Sequence, residues 1–365
     1  MRHLRVPSAK TAFWVERCKE NNWYEIGSGV LPLGDQRGIP LNDSAPLIDD
    51  AVWNGFEITE EVGTLRKAQH WTEHLPAELL GKKTIQLPQS YEIQGDVLLI
   101  KIPEGIESFE NEIAQAMLKQ YPNVRIICHD EGVDGEFRIR NLRVLESRDG
   151  STTTQTRVKE HGHIIHVDPA RTYFSGRLSH QRKMTHQAIL KFREGFDRPL
   201  VVFDPYAGVG PSMAYLYTDS ELTDYVYVND MNPDTRELLE MNMEIFEKKR
   251  SKKGVYVVET IDARQMKTLK PETKNMADVL LVNLPHEGVH HLPELLPLLS
   301  KNRAMLCGWS IIENSQTEEF MNSLQTILVE GGRKIESSSL DTVKGFSATK
   351  SMVRYECVLF NEFNR

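Results

Sequence analysis

The amino-acid sequence predicts an α/β protein whose C-terminal part is a mostly parallel sheet covered by helices on both faces, preceded by smaller α/β or α+β modules. Three observations predict it. From residue 199 onward short apolar runs alternate with segments of helical periodicity. The first run opens into a turn with two glycines, Asp204-Pro205-Tyr206-Ala207-Gly208-Val209-Gly210-Pro211-Ser212, and polar residues stand at the ends of the runs that follow. Continuous apolar runs are what parallel strands require, because helices cover both of their faces.

In chain order, residues 1–60 mix short apolar runs with Gly and Pro, as in Ile26-Gly27-Ser28-Gly29-Val30-Leu31-Pro32, and are expected to form a small α/β module. Val97–Ile102 reads as a strand, 108–120 as an amphipathic helix, 123–127 as a strand and Phe137–Leu145 as another. Period-two alternation, with some slippage towards Arg143, sets Arg138, Arg140 and Arg143 opposite Phe137, Ile139 and Leu142 or Leu145. Such a face is either a cationic binding surface or a solvated edge that discourages aggregation. The polar run Glu146–Thr154 divides an expected module at 84–150 from a domain at 151–365. Within that domain the expected strands are 199–203, 225–228, 255–258, 278–282, 303–310, 333–340 and 352–360, seven in all. The expected helices between them are 211–218, 233–249, 293–299 and 315–330.

Composition bounds the rest. At 365 residues, with 40% hydrophobic and 26% charged residues, the chain can bury more than one core and is neither collagen-like nor disordered. The balance of 44 basic against 52 acidic residues gives a net charge of −8, so a polyanion partner needs a local basic surface. Cys18, Cys128, Cys307 and Cys357 stand singly and read as buried thiols of a reducing compartment rather than a zinc site or a disulfide framework. The N-terminus mixes charges with apolar residues, and no run approaches the roughly 18 apolar residues of a membrane span. The expectation is a cytoplasmic monomer with no membrane contact.

The strand ends carry the chemistry. Two glycines at i and i+2 let the backbone turn sharply and let a ligand approach closely, beyond the carboxyl ends of the strands where open α/β sheets bind ligands. The loop lacks a phosphate-loop Gly-Lys-Ser/Thr, and Asp204 would repel a pyrophosphate, which argues against ATP. In Asn229-Asp230-Met231-Asn232-Pro233, Asp230 can accept both hydroxyls of a ribose. In Ile261-Asp262-Ala263-Arg264, Asp262 can accept from an adenine amino group, and in Asn283-Leu284-Pro285-His286 the Asn283 amide can pair with a planar base edge. An acidic residue at a strand end is often only a helix cap. Four such motifs at consecutive strand ends make a pattern.

These segments resemble the class I S-adenosylmethionine-dependent methyltransferases that modify archaeal and eukaryotic tRNA. The likeness is closest to the family that methylates N1 of the guanosine immediately 3′ of the anticodon, with its aminocarboxypropyltransferase relatives of the wybutosine pathway. Upstream, Leu87–Asp96, the Gly135–Arg140 arginine strand, His166-Val167-Asp168 and Tyr173-Phe174-Ser175-Gly176-Arg177-Leu178 extend the resemblance over roughly 84–365. It implies a Rossmann-like catalytic domain, S-adenosylmethionine as cofactor, and tRNA as partner through the anticodon stem-loop and, by the N-terminal module, the elbow.

Carried over by position, the resemblance implies that Tyr173 and Phe174 shape the pocket and that Asp204, Ala207, Gly208, Gly210, Asp230, Asp262 and Asn283 hold the cofactor. It implies that Asn283 and Pro285 hold the guanine edge, and that Arg140 rather than Arg138 steadies the charge developing on guanine O6. The chain departs from the family at one place. Where a glutamate general base is expected four residues after Arg177, it has Gln181, which can hydrogen-bond N1 but cannot take its proton. That departure leaves open an aminocarboxypropyl transfer, or a tRNA-binding protein with a retained pocket. The segment Ser175-Gly176-Arg177 is closer to the methyltransferase type.

Basic residues support an RNA partner. Arg177, Arg182 and Lys183 flank the expected pocket and are, with Arg138, the candidates for RNA contacts. The run Lys248–Lys253 reads as a solvated helix end. His286, His290 and His291 lack metal-ligand spacing, and no metal is expected.

Overall fold

The structure, a computed structural model, describes residues 1–64, 68–76, 79, 86–135 and 137–361. The expected module start at 84 and Glu136 of the arginine strand lie outside the described residues. The chain divides into two compact units, Met1–Lys82 and Lys83–Arg365. In the first, β1 (Arg2–Pro7), β2 (Leu31–Leu33), β3 (Gln36–Pro40) and β4 (Ile58–Glu60) form an antiparallel sheet in the order β2-β3-β1-β4. The helix Thr11–Glu20 buries Trp14 and Cys18 against Leu4, Val6, Ile39 and Trp53.

The second unit begins with a four-stranded sheet, β5 (Tyr91–Gln94), β6 (Val97–Ile100), β7 (Ile126–Asp134) and β8 (Ile139–Ser147), with the helix Glu110–Gln120 between β6 and β7. A hairpin follows, β9 (Thr156–Glu160) and β10 (His163–Val167), and then the helix Ser179–Arg193. The expected modules 84–150 and 151–365 thus share one compact unit. The polar run between them is tied down: the Arg125 guanidinium pairs with Asp96 at 3.0 Å and donates to the Thr153 and Gln155 carbonyls at 3.0 and 3.2 Å. Gly95, at φ 59°, faces the hairpin so closely that a Cβ there would lie 2.2 Å from Thr156 Oγ1.

The rest is the predicted sheet. Strands β11 (Leu200–Asp204), β12 (Thr223–Asn229), β13 (Val255–Glu259), β14 (Val279–Val282), β15 (Ala304–Glu313), β16 (Arg333–Gly345) and β17 (Lys350–Asn361) stand in the order β13-β12-β11-β14-β15-β17-β16. The first five pair in parallel, and β17 runs antiparallel between β15 and β16. Two apolar clusters cover the two faces, one around Val202, Val226, Leu239 and Phe246, the other around Phe203, Leu280, Leu296 and Leu328. The helix Arg236–Glu247 shows how the sequence builds this: Leu238, Leu239, Asn242, Met243 and Phe246 recur at helical spacing and are all buried. Each expected strand is found within a few residues, except that β7 starts at 126 and that β16 and β17 run past the expected hairpin ends, while β5, β9 and β10 had no expected counterpart.

Candidate functional site

The carboxyl ends of β11, β12, β13 and β14 carry the four motifs, and two buried asparagines stitch the surrounding loops together. Asn229 donates to the Pro205 and Ile261 carbonyls at 3.0 Å each and accepts from the Ile261 N–H at 3.0 Å, joining the first three loops. Asn242 accepts from the His166 N–H and donates to the His166 and Val209 carbonyls at 2.8–2.9 Å, fixing the glycine loop to β10. Sequence reasoning missed both roles, although Asn229 opens the Asn229–Pro233 motif. A buried amide that satisfies three backbone groups holds loops that have no ladder of their own.

Within the first loop Gly208 and Gly210 adopt φ 55° and 78°, the left-handed region that favours glycine. A Cβ on Gly210 would come within 2.9 Å of Leu239 Cδ1. Asp230 accepts from the Gly208 N–H at 2.8 Å and the Asn232 N–H at 3.0 Å, so the second strand end braces the first. Burial pushes its carboxyl above the usual carboxylate range. Asp204, 1% exposed, has one oxygen facing the Tyr206 N–H at 3.4 Å, while Oδ2 is buried without a hydrogen-bond partner among the described residues. Burial pushes that carboxyl up to about 7, assisted by the Asp230 charge and opposed by the Tyr206 N–H. Asp262 caps the turn Ala263–Gln265 and is paired with Arg264 at 2.7 Å, which holds it below the usual range.

These loops surround a cavity of about 810 Å³. Of the predicted residues, Tyr173, Phe174, Ala207, Gly208, Asp230, Asp262, Asn283, Pro285, Arg138 and Arg182 line it. Asp204 and Gly210 stand behind its wall. The Pro285 carbonyl accepts from the Ile311 N–H at 2.9 Å, which anchors the Asn283 loop to β15. Tyr206, Trp309, Phe346, His286 and His291 also line the cavity, and the Tyr206 hydroxyl meets His291 Nδ1 at 2.7 Å. Trp309 of β15 and Phe346, between β16 and β17, carried no sequence signal, because contact with a site across a sheet is not local. Among the described residues no group of three or more His, Cys, Asp or Glu could hold a metal, and no helix is long and apolar enough to cross a membrane.

Three expectations need correction. Arg140 does not reach the cavity; it lies between Glu92 and Asp130 at 2.8 and 3.1 Å, and Arg143 is paired with Glu110 and Glu131 in the same way. The cavity receives Arg138 instead, because this residue precedes β8 in a left-handed turn at φ 53° and the β7/β8 register is irregular between Asp130 and Val133. Arg182 lies at the wall, but its side chain is 3% exposed and bound to Glu160 at 2.5 Å, so it is not an RNA contact. Its guanidinium also stacks over the Phe174 ring at 5.4 Å and donates to the Ser175 carbonyl at 3.1 Å. Gln181 does not line the cavity: the buried side of its helix is Arg182, Thr185, Ile189 and Phe192. Arg177 and Lys183 are exposed and stand outside the cavity.

Comparison with known proteins gives a consistent result. A family model described as the TRM5/TYW2 methyltransferase domain matches residues 156–331, and one described as the TYW2 N-terminal domain matches 71–150. The tRNA (guanine(37)-N(1))-methyltransferase Trm5b of Pyrococcus abyssi is 31% identical over 245 residues, 65% of this chain and 66% of that protein. The Trm5b of Methanocaldococcus jannaschii is 33% identical over 238 residues, 62% and 65% of the two chains. The matched region therefore spans just under two thirds of these relatives' length. Among solved structures, a complex of aTrm5 and tRNALeu matches with a TM-score of 0.68 at 19% identity, covering 99% of this chain and 100% of that one. The TYW2 of M. jannaschii in complex with AdoMet matches with a TM-score of 0.54 at 16% identity, over 74% and 100%. At these identities the structures establish the fold.

Proposed function

Because residues 156–331 match the TRM5/TYW2 methyltransferase domain, we propose that the chain is an S-adenosylmethionine-dependent tRNA methyltransferase acting on N1 of the guanosine at position 37, as its relatives' names describe. The observation that carries this reading is the set of four strand-end loops around one cavity of about 810 Å³, a size suited to a nucleoside-sized ligand beside a base. The residues fit the cofactor. Asp230 keeps lone pairs for ribose hydroxyls beyond its two backbone bonds, Asp262 and Ala263 face the adenine position, and the orphaned Asp204 oxygen stands behind the glycine loop.

The cofactor supplies an activated methyl on a sulfonium, so the protein must orient it, seat an extruded base and manage one proton. Tyr173 and Phe174 shape the wall, Asn283 and Pro285 receive the base edge, and Arg138 takes the place expected of Arg140 beside the charge developing on O6. Arg177 and Lys183, exposed beside the cavity segment, contact phosphates of the anticodon stem-loop. The first unit positions the tRNA at its elbow. Four buried free thiols suit a reducing compartment, and we place a monomeric enzyme in the cytoplasm.

A second reading is favoured by Gln181 and by the match of 71–150 to the TYW2 N-terminal model: transfer of the cofactor's aminocarboxypropyl group. Incubation with labelled S-adenosylmethionine and transcripts carrying G or A at position 37, followed by nucleoside mass spectrometry, separates the readings. A single methyl on guanine, absent from the A transcript, supports methyl transfer. An aminocarboxypropyl adduct supports the second reading, and binding without product refutes both.

A further inference from the structure

The assignment of a methyl transfer to guanine N1 leaves the proton without a destination. Gln181 has no basic atom and does not line the cavity. Whatever accepts the proton must also stand next to the cation at O6, because N1 and O6 are both attached to C6 on the same edge of the purine. Among the described cavity residues, the arginine from the β7/β8 turn, Arg138, has His286 within electrostatic range, and both line the cavity. His286 directly follows Pro285 in the loop expected to hold that same base edge. Its ring stands edge-on to Phe346, with centroids 5.9 Å apart at 76°. Phe346 is 50% exposed at the cavity, which makes it a platform on which an extruded base can stack.

Resting on the methyl-transfer reading, we propose that His286 is the proton acceptor for guanine N1, in a seat formed with Arg138 and Phe346. The N1–H bond breaks and its proton passes to an unprotonated ring nitrogen of His286, giving an imidazolium. The electron pair left on N1 forms the bond to the methyl carbon, and the S–CH3 bond breaks with its pair returning to sulfur as a neutral thioether. Arg138 holds the O6 end of the anion during the transfer. The left-handed φ of 53° at Arg138 is the backbone cost of aiming a long cation from a turn into the cavity.

The surroundings keep the ring neutral and able to accept. Partial burial lowers its pKa from the usual 6.5, Arg138 and Lys350 act in the same direction, and Glu287 opposes them. A neutral imidazole at pH 7 is what a general base requires. The rate of a single turnover therefore has an acid limb lying below the ordinary histidine value of 6.5 and is level above it.

The test compares wild type with His286→Gln in single-turnover methylation of a G transcript from pH 5 to 8, with cofactor affinity by calorimetry and the His286 ring titration by NMR. The expected result is an acid limb in wild type, a roughly 10²-fold or greater loss in His286→Gln with that limb gone, unchanged cofactor affinity, and a ring pKa below 6.5. A variant rate within threefold of wild type, or a slowed variant that keeps the limb, overturns the proposal. Two wild-type measurements decide the matter even if the variant fails to fold: no acid limb, or a ring that is still protonated above pH 7.5, also overturns it. Absence of any methyl product from wild type would instead sink the methyl-transfer reading itself.

Discussion

Replacing Asp204 by Asn tests the electrostatics of the first strand end directly. The carboxyl is 1% exposed and its pKa is raised from 3.8 to about 7, with burial the largest cause. A group raised in the fold binds its proton more tightly there than in the unfolded chain. Its contribution is fullest below about pH 4 and is lost as the pH climbs through 7. Each unit of displacement corresponds to about 1.4 kcal/mol, so the full penalty at alkaline pH is about 4 kcal/mol. Between pH 5.5 and 8.5 the linkage relation assigns about 2 kcal/mol of that to the interval. Asn keeps an acceptor for the Tyr206 N–H and carries no charge, so Asp204→Asn escapes the penalty. The stability of the variant relative to wild type should rise by about 2 kcal/mol across that range, or roughly 4–8 °C in the melting temperature of the unit that holds it. Thermal melts of both proteins without cofactor at half-unit pH intervals give the difference. A difference independent of pH would refute the buried-carboxyl argument, whatever its absolute size.

Other consequences are as direct. Arg182→Met should destabilise by about 3–5 kcal/mol, because it leaves the Glu160 carboxylate buried and unpaired, and urea denaturation reads the loss. The phosphate roles are tested by salt titrations of tRNA affinity: Arg177→Ala should lower the slope of log K against log salt by about 1, whereas Arg182→Met should leave it unchanged. Gly210→Ala demands both a left-handed alanine and room at Leu239, so cofactor affinity by calorimetry should fall at least tenfold with a melting temperature several degrees lower. Asp230→Ala removes the acceptor that braces Gly208 and faces the ribose position, and unchanged cofactor binding in that variant would contradict the placement of the site.

How much of this was legible depended on whether the signal was local. The parallel sheet was readable because each strand's burial is written in its own residues, as in Val279-Leu280-Leu281-Val282, fully buried along its length. The strand-end motifs were readable because connectivity alone puts such residues on one side of an open sheet. The arginines were not. Period-two reasoning assumes an unbroken strand, whereas Arg138 sits before β8 in a turn and the register slips between Asp130 and Val133. Arg182 was misread because charge was weighed before periodicity: Leu178, Arg182, Thr185 and Ile189 form one buried stripe, and an arginine in that stripe calls for a buried partner. His286 drew attention as part of a histidine group, but its neighbours Arg138 and Phe346 come from two turns, before β8 and between β16 and β17, that no local pattern links.

The antiparallel insertion of β17 between β15 and β16 also bears on how the chain reaches its fold during synthesis. The ten-residue β15 is almost wholly apolar and buried, and one of its two edges is covered only by β17. Until the ribosome has delivered residues 350–361, that edge offers unpaired amides and carbonyls on a hydrophobic ribbon. Trp309 and Ile311 of β15 and Met352 of β17 then meet at the cavity wall, so ligand binding waits for the same event. Nascent chains stalled between β15 and β17 should therefore be the species that most need a chaperone, while a ligand that seats against those residues rewards only the finished sheet.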